Sequence, residues 1–316
     1  MLAAPRSLFL LPACLLTLVF AAACEPGEQA SATILVTGSL RNPALDEASG
    51  LRASQREDGV YFLHNDDGEP RLYAIDKQGQ SLGDFTISGA SNRDWEDLTA
   101  VPSPSGPLLV AADTGDNFAQ HEQVWLYFVA EPERAGRFEG DIPMAHAIAL
   151  RYPDGPRDCE SVGWDPASDR IYFLSKRDTP SRIYSIAREA ALASESAELE
   201  FDGTVHPFRP PTSRDIRLFG RRDGPWVSQP TGLDFSPDGR QAAVISYRSL
   251  YLFERQDGES WPQAFQRKPI EFEGPPSRKE EALAYSRDGG HIMITSEGAS
   301  APVYRFNLDD GVQSAD

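Results

Sequence analysis

The sequence predicts an all-β fold of repeated four-stranded units, and three observations lead there. The chain of 316 residues carries 25 glycines and 25 prolines, a turn-rich composition that disfavours a helical bundle. Short runs alternating apolar and polar residues recur along it, separated by turn-forming clusters. Five of these runs share one pattern: EASGLRAS, DWEDLTAV, DCESVGWD, QPTGLDFS and KEEALAYS.

Taken in chain order, the first element is not part of the fold. Arg6 and the free amine are followed by LFLLPACLLTLVF (residues 8–20), an uncharged run too short for a comfortable membrane span, and Ala21–Ala23 precede Cys24. This predicts a secretory signal peptide over residues 1–23. Small residues before a Cys resemble the bacterial lipobox, with Ala21 where that motif usually has Leu; the resemblance implies a lipid on Cys24. Ordinary cleavage after an A-x-A triplet is the alternative. Residues 24–31 then read as a tether and 32–316 as one domain. The expected location is the cell envelope, anchored through Cys24 to a membrane facing the periplasm or the cell surface; a secreted soluble protein is the alternative. Of Cys14, Cys24 and Cys159, only the last remains inside the mature domain. That excludes an intradomain disulfide, and no disulfide-linked partner is expected. Cys159 itself reads as a buried small hydrophobe.

TILVTGSL (residues 33–40) is a strand with no unit of its own. Each unit then opens on a first strand in which Ser49, Glu96, Glu160, Thr231 or Glu281 stands two residues before an aliphatic: Leu51, Leu98, Val162, Leu233 or Leu283. A second strand follows and ends at Asn65, Asp113, Lys176, Tyr247 or Glu297, an offset of sixteen residues each time except seventeen in the second unit. Turn chemistry (QREDG, PSPSG, DPASD, SPDGR, SRDGG) lies between the two. A third strand carries Tyr73, Trp125, Tyr184, Tyr251 or Tyr304, and weaker outer strands are SLGDFTIS, AHAIALRY, AELEFDGT and AFQRKPIEF. The last unit lacks an outer strand, so the N-terminal strand is expected to complete it and remove an exposed edge. Four antiparallel strands repeated radially make a β-propeller, here of five blades. Residues 206–228 are extra: an excursion over one face or, as the alternative, a degenerate sixth blade. AREAALASESAEL (residues 187–199) is the one helical stretch expected.

In such a fold the aligned residues form rings around one axis. The first ring is Ser49, Glu96, Glu160, Thr231 and Glu281; the second is Asn65, Asp113, Lys176, Tyr247 and Glu297, with Asp66, Asp97, Asp116, Asn117 and Arg248 beside them. Carboxylates so crowded must protonate, pair with Lys176 and Arg248, or hold a cation; at an effective dielectric near 20, two charges 4 Å apart interact by about 4 kcal/mol. Oxygen ligands suit a hard cation, Ca2+ before Mg2+, and the candidate metal ligands are Glu96, Glu160, Glu281 and Asp113. The other ring residues are candidate ligand-binding groups. The opposing account is a structural ion-pair ring in which acids cap turns and Lys176 neutralises a neighbour. His64 is the histidine nearest the channel mouth; a local hydrogen bond is its simpler role. The net charge of −18 argues against nucleic acid, whose phosphates need a basic footprint.

SGL (49–51), WEDL (95–98), CESVGW (159–164), TGLDFS (231–236), EEALAYS (280–286) and the ends FLSKR, ISYRS and TSEGASAPVYRF resemble the SdiA-regulated family of bacterial envelope propellers over most of residues 33–310. More distantly, the first-strand glutamates resemble those of SMP-30/gluconolactonase-like and esterase-like phytase propellers, where divalent metals bind. The resemblance implies a five-bladed propeller in the envelope with a calcium site and no well-established activity. Three functions are carried forward: a Ca2+-binding propeller with a small-molecule or peptide ligand at the channel mouth; a metal-dependent hydrolase of esters, lactones or phosphoesters with Glu160 or Asp113 as base; and a protein-interaction scaffold.

Overall fold

The computed structural model describes residues 34–275 and 279–308, so the predicted signal segment, Cys24 and the tether lie outside the described residues. Among the described residues no helix is long and apolar enough to cross a membrane. The chain begins with β1 (Ile34–Ser39). A first antiparallel array is β2 (Ala48–Ala53), β3 (Val60–Asn65), β4 (Arg71–Asp76) and β5 (Ser81–Ser88); a second is β6 (Trp95–Val101), β7 (Leu108–Asp113), β8 (Val124–Ala130) and β9 (Asp141–Arg151). A third holds β10 (Cys159–Asp165), β11 (Arg170–Ser175) and β12 (Arg182–Ala187), then α1 (Arg188–Ala193), β13 (Ser196–Glu198) and its outer strand β14 (Glu200–Thr204). After α2 (Ser213–Asp223) come β15 (Gly232–Phe235), β16 (Gln241–Ile245), β17 (Ser249–Glu254), α3 (Trp261–Ala264) and β18 (Ile270–Glu273), and finally β19 (Glu280–Tyr285), β20 (His291–Ser296) and β21 (Pro302–Asn307). β1 pairs antiparallel with β21, which supplies the missing fourth strand of the last array.

The recurring sequence offset is the length of a hairpin: Ala48 pairs with Asn65, Trp95 with Asp113, Cys159 with Ser175 and Glu280 with Ser296. The SPDGR and SRDGG turns are built alike. Ser236 and Ser286 donate to Asp238 and Asp288, each at 2.6 Å, and their hydroxyls accept the N–H groups of Gln241 and His291.

The aligned aliphatic and aromatic positions explain the packing. Leu51 and Tyr73 lie in a cluster shared with β20 and β21; Leu98 and Trp125 in one shared with β3 and β5; Val162 and Tyr184 in one shared with β7 and β8. Leu233 and Tyr251 pack against residues of β11 and β12, and Leu283 and Tyr304 against residues of β16 and β17. Every unit thus presents the same two positions to the array before it, and the interfaces close on themselves. The first strands do likewise, β2 touching β6, β6 touching β10, and so on through β15 and β19 back to β2. Burying each such side chain contributes roughly 1.5–3 kcal/mol. First strands gathered around one axis make this all-β fold a β-propeller.

Four details differ from expectation. β5 and β9 pair parallel, which merges the first two arrays into one nine-stranded sheet that also takes in β13. The helix expected over 187–199 stops at Ala193, because Ser196–Glu198 pairs with the β9 edge and Leu199 is buried between arrays; sheet pairing overrides local helix propensity. Only Ile270–Glu273 of AFQRKPIEF is strand, since Ser260 caps α3 and that turn sends Trp261 and Phe265 into the core. Residues 206–228 hold α2, capped by Thr212 and Asp215, with a short 3-10 turn over Gly224–Trp226 and no strand.

Buried carboxylates tie the arrays together at the axis. Asp97 accepts N–H bonds from Leu98, from Val162 at 2.8 Å and from Leu233 at 3.0 Å, spanning three arrays. Asp234 accepts from Phe235 and Tyr285 and pairs with Arg52. Replacing Asp97 by Ala strands two buried N–H groups of neighbouring strands, so Asp97→Ala is expected to lower unfolding free energy by about 2–4 kcal/mol in urea, and Asp97→Asn by clearly less because one oxygen can keep both inter-array bonds. Equal losses in the two variants would refute this role.

Candidate functional site

Three first strands carry a β-bulge at the same place. The ladder skips one residue between Trp95 and Asp97, between Cys159 and Ser161, and between Glu280 and Ala282. The skipped residues are Glu96, Glu160 and Glu281. A bulge takes one residue out of the alternation and re-aims its side chain. All three line a cavity of about 450 Å3 at the end of the axis where first strands begin and second strands end. The bulge of β2 falls one residue later, at Gly50, so no glutamate counterpart exists there.

Lys176 stands among these acids. Its ammonium pairs with Glu160, lies 3.4 Å from the Tyr247 hydroxyl and sits 5.0 Å from that ring's centroid. Tyr247 donates to Glu281 at 2.6 Å. Burial works against the lysine's charge, but Glu160, Glu281 and Glu96 outweigh it and hold its pKa above the ordinary value. One ammonium does not neutralise three carboxylates. Burial first, then Glu160 and Asp94, push Glu96 well above the usual carboxylate range. Burial and Glu297 do the same to Glu281. Glu160 is pushed up to about 7, burial outweighing its lysine partner.

Glu96, Asp158 and Glu160 each bring a carboxylate oxygen within 4.8 Å of the others, all buried. Asp94 adjoins them, raised to about 6 by burial and by Asp158. Gly115 of ADTGDN sits against this cluster: a Cβ there would lie 2.3 Å from the Asp94 carboxylate and 2.4 Å from that of Glu96, so a side chain at 115 would have to push both carboxylates aside. Asp158 accepts from the Asp116 amide at 3.0 Å and from Arg177 at 2.6 Å. Across the whole cavity seven carboxylates face four cationic side chains.

The expected residues divide into two sets. Glu96, Glu160, Glu281, Asp66, Asn117, Lys176, Tyr247 and Glu297 line the cavity. Asp113 does not: it accepts the Asp94 amide at 3.1 Å and lies 3.7 Å from Arg93. Ser49 and Thr231 donate to the carbonyls of Glu96 and Glu280, each at 2.7 Å, joining neighbouring arrays instead of facing a ligand. Asn65 bonds the backbone of Ala44, and Asp97 is the axial tie described above. Asp116 turns inward to accept the amides of Gln120 and His121. Arg248 pairs with Asp215 at 2.6 Å, anchoring α2. His64 is fully buried, its Nδ1 3.0 Å from the Asn65 carbonyl oxygen, and burial holds its pKa down to about 4. Cys159 is equally enclosed, with its thiol pushed up to about 12 by burial.

Sequence alignment missed Asp158, Arg177, Trp226, Asp223 and Lys279. Asp158 and Arg177 each stand next to or near an aligned residue, a signal that ring alignment by single positions discards. Trp226 and Asp223 arrive from the inserted segment: Arg177 stacks over Trp226 at 4.9 Å and pairs with Asn117, which forms one wall. Lys279 bonds Glu297 at 2.6 Å. A second, more exposed group of acids, Glu47, Asp66 and Asp67, lies beside the mouth; Asp66 and then partial burial raise Glu47 to about 7.

No family model matches the chain, and no curated protein matches it. Solved structures do. A luciferin-regenerating enzyme is similar at 8% identity and a TM-score of 0.44, over 90% of this chain and 96% of that one. Kuenenia stuttgartiensis hydrazine synthase is similar at 10% identity and a TM-score of 0.45, covering 84% and 97%. The Myceliophteria thermophila Cps50 (Swd1) β-propeller domain is similar at 13% identity and a TM-score of 0.44, covering 87% and 100%.

The raised carboxylates set a pH dependence. Asp94 and Glu160 rise from 3.8 and 4.5 to about 6 and about 7, so the folded chain holds more protons than the unfolded one in that window. Their contribution to stability is complete below the unfolded values and is lost as pH rises through about 6 and 7. His64, depressed on folding, works in the opposite sense, so the comparison must be with a variant. Unfolding midpoints in chelator are expected to show Asp94→Asn/Glu160→Gln gaining on the native chain between about pH 4 and about pH 7. A constant difference would overturn the assignment.

Proposed function

We propose that the chain is a five-bladed β-propeller whose acidic channel mouth holds a hard divalent cation, Ca2+ before Mg2+, together with a small-molecule or peptide ligand seated in the cavity above it. The observation that carries the reading is the buried convergence of Glu96, Asp158 and Glu160 at a cavity lined by seven carboxylates and four cationic side chains. Gly115 supports it by leaving room at the acids, and an all-oxygen donor set suits a hard cation. The cation set read from the sequence changes accordingly: Asp158 takes the place of Asp113, and Glu281 is engaged by Tyr247. The closed series of five apolar interfaces supports the blade number. The N-terminal pattern supports an exported protein tethered at Cys24, and the motif series supports kinship with the SdiA-regulated propellers. The hydrolase reading now rests on Glu160 alone as base, since Asp113 lies outside the cavity.

Titration calorimetry of chelator-treated protein with CaCl2 tests the reading. Saturating Ca2+ at about 100 times Kd is expected to add about 2.7 kcal/mol of stability, seen as a higher Tm. Glu96→Gln/Glu160→Gln is expected to abolish both heat and Tm rise; absence of either in the native chain would count against the site. Lys176→Met removes the resident cation and is expected to cost about 3 kcal/mol in chelator, with Ca2+ restoring part of it. A Lys176→Met protein as stable as the native one would sink the charge argument.

A further inference from the structure

The opposite end of the axis holds a second cavity of about 190 Å3 where the first strands finish. Its chemistry is inverted. Among the described residues, its lining includes Arg52 and Arg287 and no carboxylate, in a chain of net charge −18 whose other mouth is crowded with acids. Trp164, Phe235 and Tyr285 supply flat apolar walls.

Arg52 is built into this site. It is only 7% exposed, and its guanidinium is held by Asp234, which is itself fixed by the amides of Phe235 and Tyr285. One edge is thereby committed to Asp234, yet the buried Nε has no hydrogen-bond partner, and neither has the buried Tyr285 hydroxyl. A buried donor without an acceptor is costly, and a guanidinium edge matches a carboxylate. Arg287 is exposed at the rim, anchored to the Arg56 carbonyl at 3.2 Å. Ser236 and Ser286, also in the wall, have hydroxyls already engaged by Asp238 and Asp288, which leaves the arginines and the Tyr285 hydroxyl to select a ligand.

The geometry points to a binding site for a small carboxylate with a flat apolar body, its anion on Arg52 and Arg287 and its body against Trp164, Phe235 and Tyr285. The volume limits the body to about one aromatic ring. This site is separate from the acidic mouth and does not depend on the cation reading.

Sodium benzoate is the probe, titrated into the full chain by calorimetry. Binding is expected with Kd on the order of 0.1–1 mM, the range a ligand of so few atoms can reach. Arg52→Lys keeps a charge for Asp234 and removes the guanidinium edge; it is expected to weaken binding about tenfold, the loss of a charge-assisted bond. Arg287→Gln, at an exposed position, does the same if Arg52→Lys fails to fold. Benzyl alcohol, the uncharged analogue, is expected not to bind. Glu96→Gln/Glu160→Gln is expected to bind benzoate normally, so failure of the cation site and failure of this one are distinguishable. No heat up to about 10 mM benzoate, equal binding of the alcohol, or unchanged affinity in both arginine variants would overturn the proposal.

Discussion

Burying three glutamates around a single lysine is the constraint on which the acidic mouth depends. Each glutamate occupies a bulge, so none can retreat into the pleat of its strand. Lys176 meets Glu160 directly and Glu281 through Tyr247. What remains is charge that burial makes expensive: the carboxyls rise in pKa and take up protons where no cation replaces them. Seven acids face four bases across the cavity, and Glu96, Asp158 and Glu160 converge beside one another.

That imbalance is tolerable because the scaffold around it is held by other means. The first strands are joined by hydrogen bonds that need no ligand: Asp97 across three strands, Asp234 with Arg52, and the hydroxyls of Ser49, Thr114 and Thr231 to carbonyls of the next array. Outside them the apolar clusters repeat the same two positions around the ring. The scaffold therefore holds the crowded acids of the mouth in place without depending on their charge balance.

The two ends of the axis are complementary in charge although the same strands build both. Along a first strand the bulge faces one mouth and the residues near its far end face the other. In three strands an acid stands at the bulge, whereas Arg52 and Arg287 border the far end. The inserted segment adds to the first mouth only, bringing Trp226 against Arg177 and fixing α2 through Arg248 and Asp215.

Much of this was legible in the residues. Apolar alternation, turn chemistry and a constant hairpin length follow from local steric and solvation rules, so the repeat determined the strands, their order, the buried Leu and Tyr positions and the presence of Glu96, Glu160 and Glu281 near one axis. Local rules do not say which way a side chain points when the ladder slips by one residue. The bulges, a property of strand pairing, aimed the glutamates inward, while Asp113, Asp97 and Asp116 turned to satisfy backbone amides. Nor does alignment by repeat see groups that come from different units or from the insertion. Asp158, Arg177 and Trp226 joined the site, β5 met β9, and Ser196–Glu198 left its helix for a sheet edge because partners distant in sequence offered hydrogen bonds and burial that the chain nearby could not.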